Sequence, residues 1–222
     1  MLNGKSIIIT GANGALGRVV VDTTIEQGAS VISMDRVFDR DRDGVRQIVI
    51  DLTDAEAIAE ALTEIDSIDG LFNIAGGFAM GPAVHETQAS EWEVMFAMNV
   101  VTARNMCAAV VPKMLTVGRG TIVNVGAMSA REGQGNMGAY CVAKSTVMRL
   151  TESLSKELRQ LGINVNAVLP SIIDTPINRD DMPDADYSKW VTPGELAEVI
   201  CFLGSDAARA MHGALVPVVG RS

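Results

Sequence analysis

The sequence predicts an α/β fold, a single doubly wound domain with a seven-stranded, mostly parallel sheet and helices on both faces. Three observations carry that expectation. Short Val- and Ile-rich runs alternate with longer helical segments, the rhythm of parallel strands buried on both faces. A Gly-rich turn, TGANGALG, follows the first of these runs directly and opens a helix. The chain has 222 residues, 48% hydrophobic and 4% aromatic, which suits aliphatic strands under Ala- and Leu-rich helices and gives one domain, 1–222, enough length for a sizeable core.

In chain order, SIIIT (6–10) reads as the first strand and 15–27 as the first helix. SVISMD (30–35) is the second strand, and the charged RVFDRDRDG after it reads as a loop. RQIVI (46–50) is the third strand, 54–65 a helix, and DGLFNIA (69–75) the fourth strand. A long helix runs from Ser90 or Glu91 to about Leu115, followed by GTIVNVG (120–126), a Gly-rich loop and a helix over roughly 137–160. INVNAVLP (163–170) is the sixth strand, closed by Pro170. Segment 171–193 has no clear period and carries three prolines, so a lid-like excursion is expected there. A helix from Pro193 to about Leu203 and the strand GALVPVV (213–219) complete the chain. Pro217 has no N–H to give a ladder, which places that last strand at an edge or a bulge.

A net charge of −9, from 18 basic and 27 acidic residues, argues against nucleic acid and anionic membranes as partners, because both recruit clustered Lys and Arg. The three isoleucines near the N-terminus are too short for a signal segment, and no apolar run is read as long enough to span a membrane. Cys107, Cys141 and Cys201 are odd in number and widely spaced, so a reducing cytoplasm is the expected setting and no metal motif is present. His85 and His212 stand far apart, and neither is read as a ligand or a general base.

The turn from Thr10 to Gly17 has the residue types needed to hold a diphosphate. Gly11 permits a tight exit from the strand, Gly14 and Ala15 keep the surface low for approach to backbone N–H groups, and Gly17 lets helix pack on strand. Asn13 and Leu16 complete its walls. Asp35, eighteen residues past Gly17 at the end of the second strand, is placed to accept hydrogen bonds from an adenosine ribose. A carboxylate there repels a 2′-phosphate while Arg36 attracts one, so NAD(H) is favoured and NADP(H) is not excluded. Asp51 and Leu52 are placed to flank adenine, with a helix N-cap as the competing role for Asp51. Tyr140 and Lys144, four apart on one helix face, form a candidate acid-base pair.

With these residues in view, the sequence resembles the short-chain dehydrogenase/reductase family along its whole length. TGANGALG is similar to that family's TGxxx(G/A)xG, NIAG (73–76) to its NNAG, Asn99 to its mid-helix asparagine, Tyr140-Cys-Val-Ala-Lys144 to its YxxxK, and VNAVLPSIIDTP to the stretch closing over nicotinamide. The resemblance implies a Rossmann domain and a small-molecule substrate. It implies Tyr140 as proton donor or acceptor, Lys144 stabilising its phenolate, and Asn99 holding a water in the relay. Asn73, Ala75, Gly76, Pro170, Ile173 and Thr175 would join the cofactor site, Thr175 at the carboxamide. Homo-oligomers, dimer or tetramer, through the helices at 91–115 and 137–160 are also implied.

One position departs from the pattern. The family's serine, thirteen residues before the tyrosine, is Ala127 here, so an oxyanion-type donor is missing. Ser129 is the candidate substitute. The branch most similar is dihydropteridine reductase, on GALG, AGG, GAMSA and above all LPSIIDTPINRDDMPDADYSKW (169–190). An activated acceptor, a quinonoid dihydropterin or reactive carbonyl, is therefore the favoured substrate, with Phe78, Met80, Met128, Met137 and Trp190 as candidate walls. The rivals are an ordinary alcohol or ketone dehydrogenase using Ser129, and a nucleotide-sensing protein that has lost turnover.

Overall fold

The structure, a computed structural model, describes residues 1–221. Its strands are β1 (Ser6–Thr10), β2 (Ser30–Asp35), β3 (Arg46–Val49), β4 (Gly70–Asn73), β5 (Gly120–Val125), β6 (Ile163–Pro170) and β7 (Leu215–Val218). They form one sheet in the order β3-β2-β1-β4-β5-β6-β7, every neighbour parallel. The helices are α1 (Ala15–Glu26), α2 (Ala55–Leu62), α3 (Ala89–Phe96), α4 (Thr102–Val117), α5 (Gly138–Leu158), α6 (Pro176–Asp181) and α7 (Pro193–Leu203).

Side chains alternate across a strand, so one run of isoleucines feeds two cores. Ile7 and Ile9 pack with Val20, Phe72, Leu196 and Ile200 beneath α1 and α7. Ile8 packs on the other face with Ile58, Leu71, Met106 and Val110 beneath α2 and α4. All eleven are fully buried, each contributing about 2 kcal/mol of apolar burial. Pro217 sits opposite Leu169 on β7, the outer strand, where its missing N–H costs no ladder bond.

Three local features differ from expectation. The long helix is broken at Ala97–Val101, where the ladder widens to a π turn. Segment 171–193 contains α6, started by the Thr175 side chain accepting from Asn178 N, with Pro176 in its first turn; six residues are too few to print a period. The stretch Ala89–Val117 is also long and apolar enough by composition to cross a membrane, contrary to the reading of the apolar runs. Met95, Met106, Val110 and Met114 within it are buried, as in a helix packed against protein on more than one side.

Candidate active site

The chain winds outward from β1 through β2 to β3, then returns with β4 on the other side of β1. Ligands of such sheets bind outside the carboxyl ends at this switch point. A cleft of about 470 Å³ opens there. It brings together the expected Gly11, Asn13, Gly14, Ala15, Leu16, Gly17, Asp35, Arg36, Leu52, Ala75 and Gly76, and adds Ile50, Ile74, Met98 and Thr102, none of them a candidate from the sequence. Asn73 is not on its wall; it is buried and donates to Asn124 Oδ1 at 2.8 Å, because its side chain points into the sheet interior rather than out of the strand end.

The residues present fit a dinucleotide. Gly11 has φ +62° and a Cβ there would stand 2.7 Å from Ala75 N, while a Cβ on Gly17 would stand 2.0 Å from Gly11 O. Neither site admits a side chain. Gly14 begins α1 without a side-chain cap, and the first turn has no acid, so its N–H groups remain available to an anion. Thr10 Oγ1 accepts from Ala75 N at 3.1 Å, tying the two strand exits together.

At the adenosine end, Asp35 accepts from Asn13 N at 2.8 Å and from Arg36 N at 2.7 Å, which turns its carboxylate over the glycine turn. Arg36 reaches both Asp51 oxygens, at 3.2 and 3.1 Å. Asp51 also accepts from Thr53 N and Oγ1, and these bonds lower its pKa. The cap role weighed for Asp51 falls to another residue: the α2 cap is Asp54, which accepts from Glu56 N and Ala57 N, while Asp51 faces Arg36. Arg18 is paired with Asp39.

The candidate proton site lies at the other end. Lys144 is 6% exposed and donates to Val125 O at 2.9 Å. A Cβ on Gly76 would stand 2.7 Å from Asn99 Oδ1 and 3.2 Å from Lys144 Nζ, so the missing side chain is what lets amide and ammonium converge. Asn99 Oδ1 accepts from Gly77 N, and its Nδ2 donates to Gly77 O and Met95 O, at 3.2, 3.1 and 3.0 Å. The Asn99 side chain is therefore a brace for Gly77. Tyr140 and Lys144 both feel the burial of this end of the cleft. Burial pushes the phenol up to about 12 and the lysine down to about 8, because a low-dielectric site disfavours both charged forms.

On the substrate side, the Phe78 ring meets the Tyr140 ring edge-on at 4.9 Å. Ala127 is buried in an apolar cluster that Tyr140 and Met128 pack against, so no donor stands at its position. Half-buried Ser129 follows in a 3₁₀ turn, its carbonyl accepting from Cys141 Sγ. Met137 precedes α5 and, with Met80, lines a second cavity of about 210 Å³. Trp190 is not a substrate wall: it is 6% exposed, and its ring packs on Tyr187 at 4.8 Å, where the large indole surface is covered. Pro170 pairs with Val218, Ile173 with Val191, and Thr175 caps α6, so these three form the neck of segment 171–193.

A model of the short chain dehydrogenase family matches residues 5–186. Sorbitol dehydrogenase of Cereibacter sphaeroides is 35% identical over 185 residues, 78% of this chain and 72% of its own. D-threitol dehydrogenase of Mycolicibacterium smegmatis is 30% identical over 242 residues, 99% of this chain and 93% of its own. Among solved structures, a proposed NAD(P)-dependent gluconate 5-dehydrogenase from Beutenbergia cavernae with NADP bound at low occupancy superposes with a TM-score of 0.89 at 28% identity, covering 99% of this chain and 96% of its own. An NAD⁺-bound xylitol dehydrogenase gives 0.87 at 25% identity, with 99% of each chain covered.

Proposed function

The chain belongs to the short chain dehydrogenase family and is an NAD(P)-dependent oxidoreductase, and from that premise we propose that it interconverts a secondary alcohol, of the polyol or sugar-alcohol class, with its ketone. The observation that carries this reading is the convergence of Lys144 and Asn99 on Gly76, a residue of the dinucleotide-shaped cleft's wall, with Tyr140 one helical turn before Lys144 on α5. The relatives named for sorbitol and D-threitol favour an ordinary alcohol over the dihydropterin acceptor suggested by the 169–190 resemblance.

When bound, the nicotinamide cofactor takes up or delivers the hydride. Tyr140 takes the alcohol proton during oxidation and returns it during reduction. Lys144, with two N–H donors beyond its bond to Val125 O, holds the nicotinamide ribose and favours the phenolate once the site carries its ligands. Asn99 is a positioning residue that fixes Gly77, and through it the wall between the two ends of the cleft. Ser129 supplies the hydrogen bond to the reacting oxygen that Ala127 lacks. Asp35 accepts from the adenosine ribose, and Arg36, the cation next to it, is already paired with Asp51, which supports NAD(H). Segment 171–193 acts as the lid. The exposed Val94 and Val142 on α3 and α5 support assembly of copies through these helices.

A panel of polyols and their ketones assayed with NAD(H) and NADP(H) tests this. The expected outcome is turnover of at least one polyol, faster with NAD(H), and a loss of about 100-fold or more in Ser129→Ala, the usual size for removing one such donor. Unchanged turnover in Ser129→Ala would instead favour an activated acceptor.

A further inference from the structure

We propose that Asn136 is a positioning residue for Tyr140: by clipping the strap 76–81 to the loop entering α5, it holds Phe78 against the phenol and keeps the phenol aimed at the substrate. The proposal rests on reading Tyr140 as the proton carrier.

The strap leaves β4 and is pinned at both ends. At the near end Asn99 bonds the N–H and the carbonyl of Gly77. At the far end Gly81 N donates to Asn136 O at 2.8 Å, and Asn136 Nδ2 donates back to Gly81 O at 3.3 Å. Asn136 has φ +59°, and among the described residues no other non-glycine has a positive φ. Asn tolerates this region better than most side chains, so the residue type fits the backbone as well as the side-chain bond.

Between the pins hangs Phe78. It is 49% exposed and belongs to none of the buried clusters, so burial alone does not fix it. Its ring nevertheless meets Tyr140 at 4.9 Å with the planes 84° apart, a favoured aromatic geometry. Met137, which precedes α5, gives that helix no side-chain cap. The entry of the helix bearing Tyr140 is instead fixed by the same two-way clip at residue 136. One junction thus sets both the ring over the phenol and the start of the helix beneath it.

Nitration by tetranitromethane, read at each tyrosine by peptide mass spectrometry, reports access to the phenol without requiring turnover. Tyr187, the other tyrosine of the chain, is the internal reference. In Asn136→Asp the positive φ stays tolerated, but a carboxylate replaces the donor facing Gly81 O and the clip opens. The Tyr140-to-Tyr187 nitration ratio is expected to rise several-fold and kcat to fall about tenfold, the scale of a small misplacement of a reacting group, with the NADH dissociation constant unchanged. Phe78→Ala is expected to raise the ratio likewise, so the strap is tested even if Asn136→Asp does not fold. His85→Ala, in the same connection with its side chain 82% exposed, leaves ratio and kcat at parent values. A ratio that does not move, a kcat that does not move, or a kcat loss matched by lost NADH affinity overturns the proposal. Failure of the underlying reading is separable: turnover would then survive Tyr140→Phe while the nitration ratio still responded to Asn136.

Discussion

Lys144 shows how a single buried residue ties chemistry to stability. Its ammonium has one protein acceptor, Val125 O, and burial lowers its pKa from 10.5 to about 8. Between those values the unfolded chain binds more protons than the folded one, so stability rises with pH across the window and is lost as pH falls through about 8. Tyr140, raised from 10.0 to about 12, acts in the opposite direction, but only above pH 10. The thermal midpoint of the parent, measured against Lys144→Met, is therefore expected to climb between about pH 8 and pH 10. Parallel curves would mean that the lysine titrates as if exposed. Residue types at this scale were legible because the chemistry restricts them: Gly11 and Gly17 admit no Cβ, and the Tyr140/Lys144 spacing is one helical turn. Trp190 and Asn73 were misplaced because a large apolar ring and an amide suit an interior as well as a site, and sequence does not say which way a side chain turns.

At the scale of elements, the π turn at Ala97–Val101 is the feature that serves the site. A widened ladder displaces the usual i→i−4 pairing, and Asn99 uses its own amide on Met95 O while gripping Gly77. Asn99→Ala removes three hydrogen bonds to backbone groups, at a cost of roughly 3 kcal/mol. Its thermal midpoint should fall and kcat with it, whereas Asn105→Ala, which frees Leu52 O and Thr53 O at the adenine end, should weaken cofactor binding instead. A shared phenotype would show that Asn99 has no special tie to the proton site. AMNVV is as apolar as the helix around it, so no pattern announced the break. α6 was hidden for a different reason, being one and a half turns set by a threonine cap and a proline.

The whole molecule places its chemistry by topology. The reversal between β1 and β4 sets the glycine turn beside Ala75 and Gly76, and the next strand exit carries Val125, the acceptor for Lys144. Strand runs and their motifs were legible because each parallel strand is buried on both faces and each motif follows a strand end. The Arg36–Asp51 pair and the Asn136–Gly81 clip were not, since each joins residues separated by a whole unit of the fold. In the proposed function Tyr140 moves the proton while the cleft holds the dinucleotide, and Tyr140→Phe separates the two. NADH affinity, read by fluorescence titration, is expected to stay within about twofold of the parent while turnover of the best polyol falls at least 100-fold, the lower range for losing a general acid-base group. Turnover near the parent value with affinity intact would contradict it.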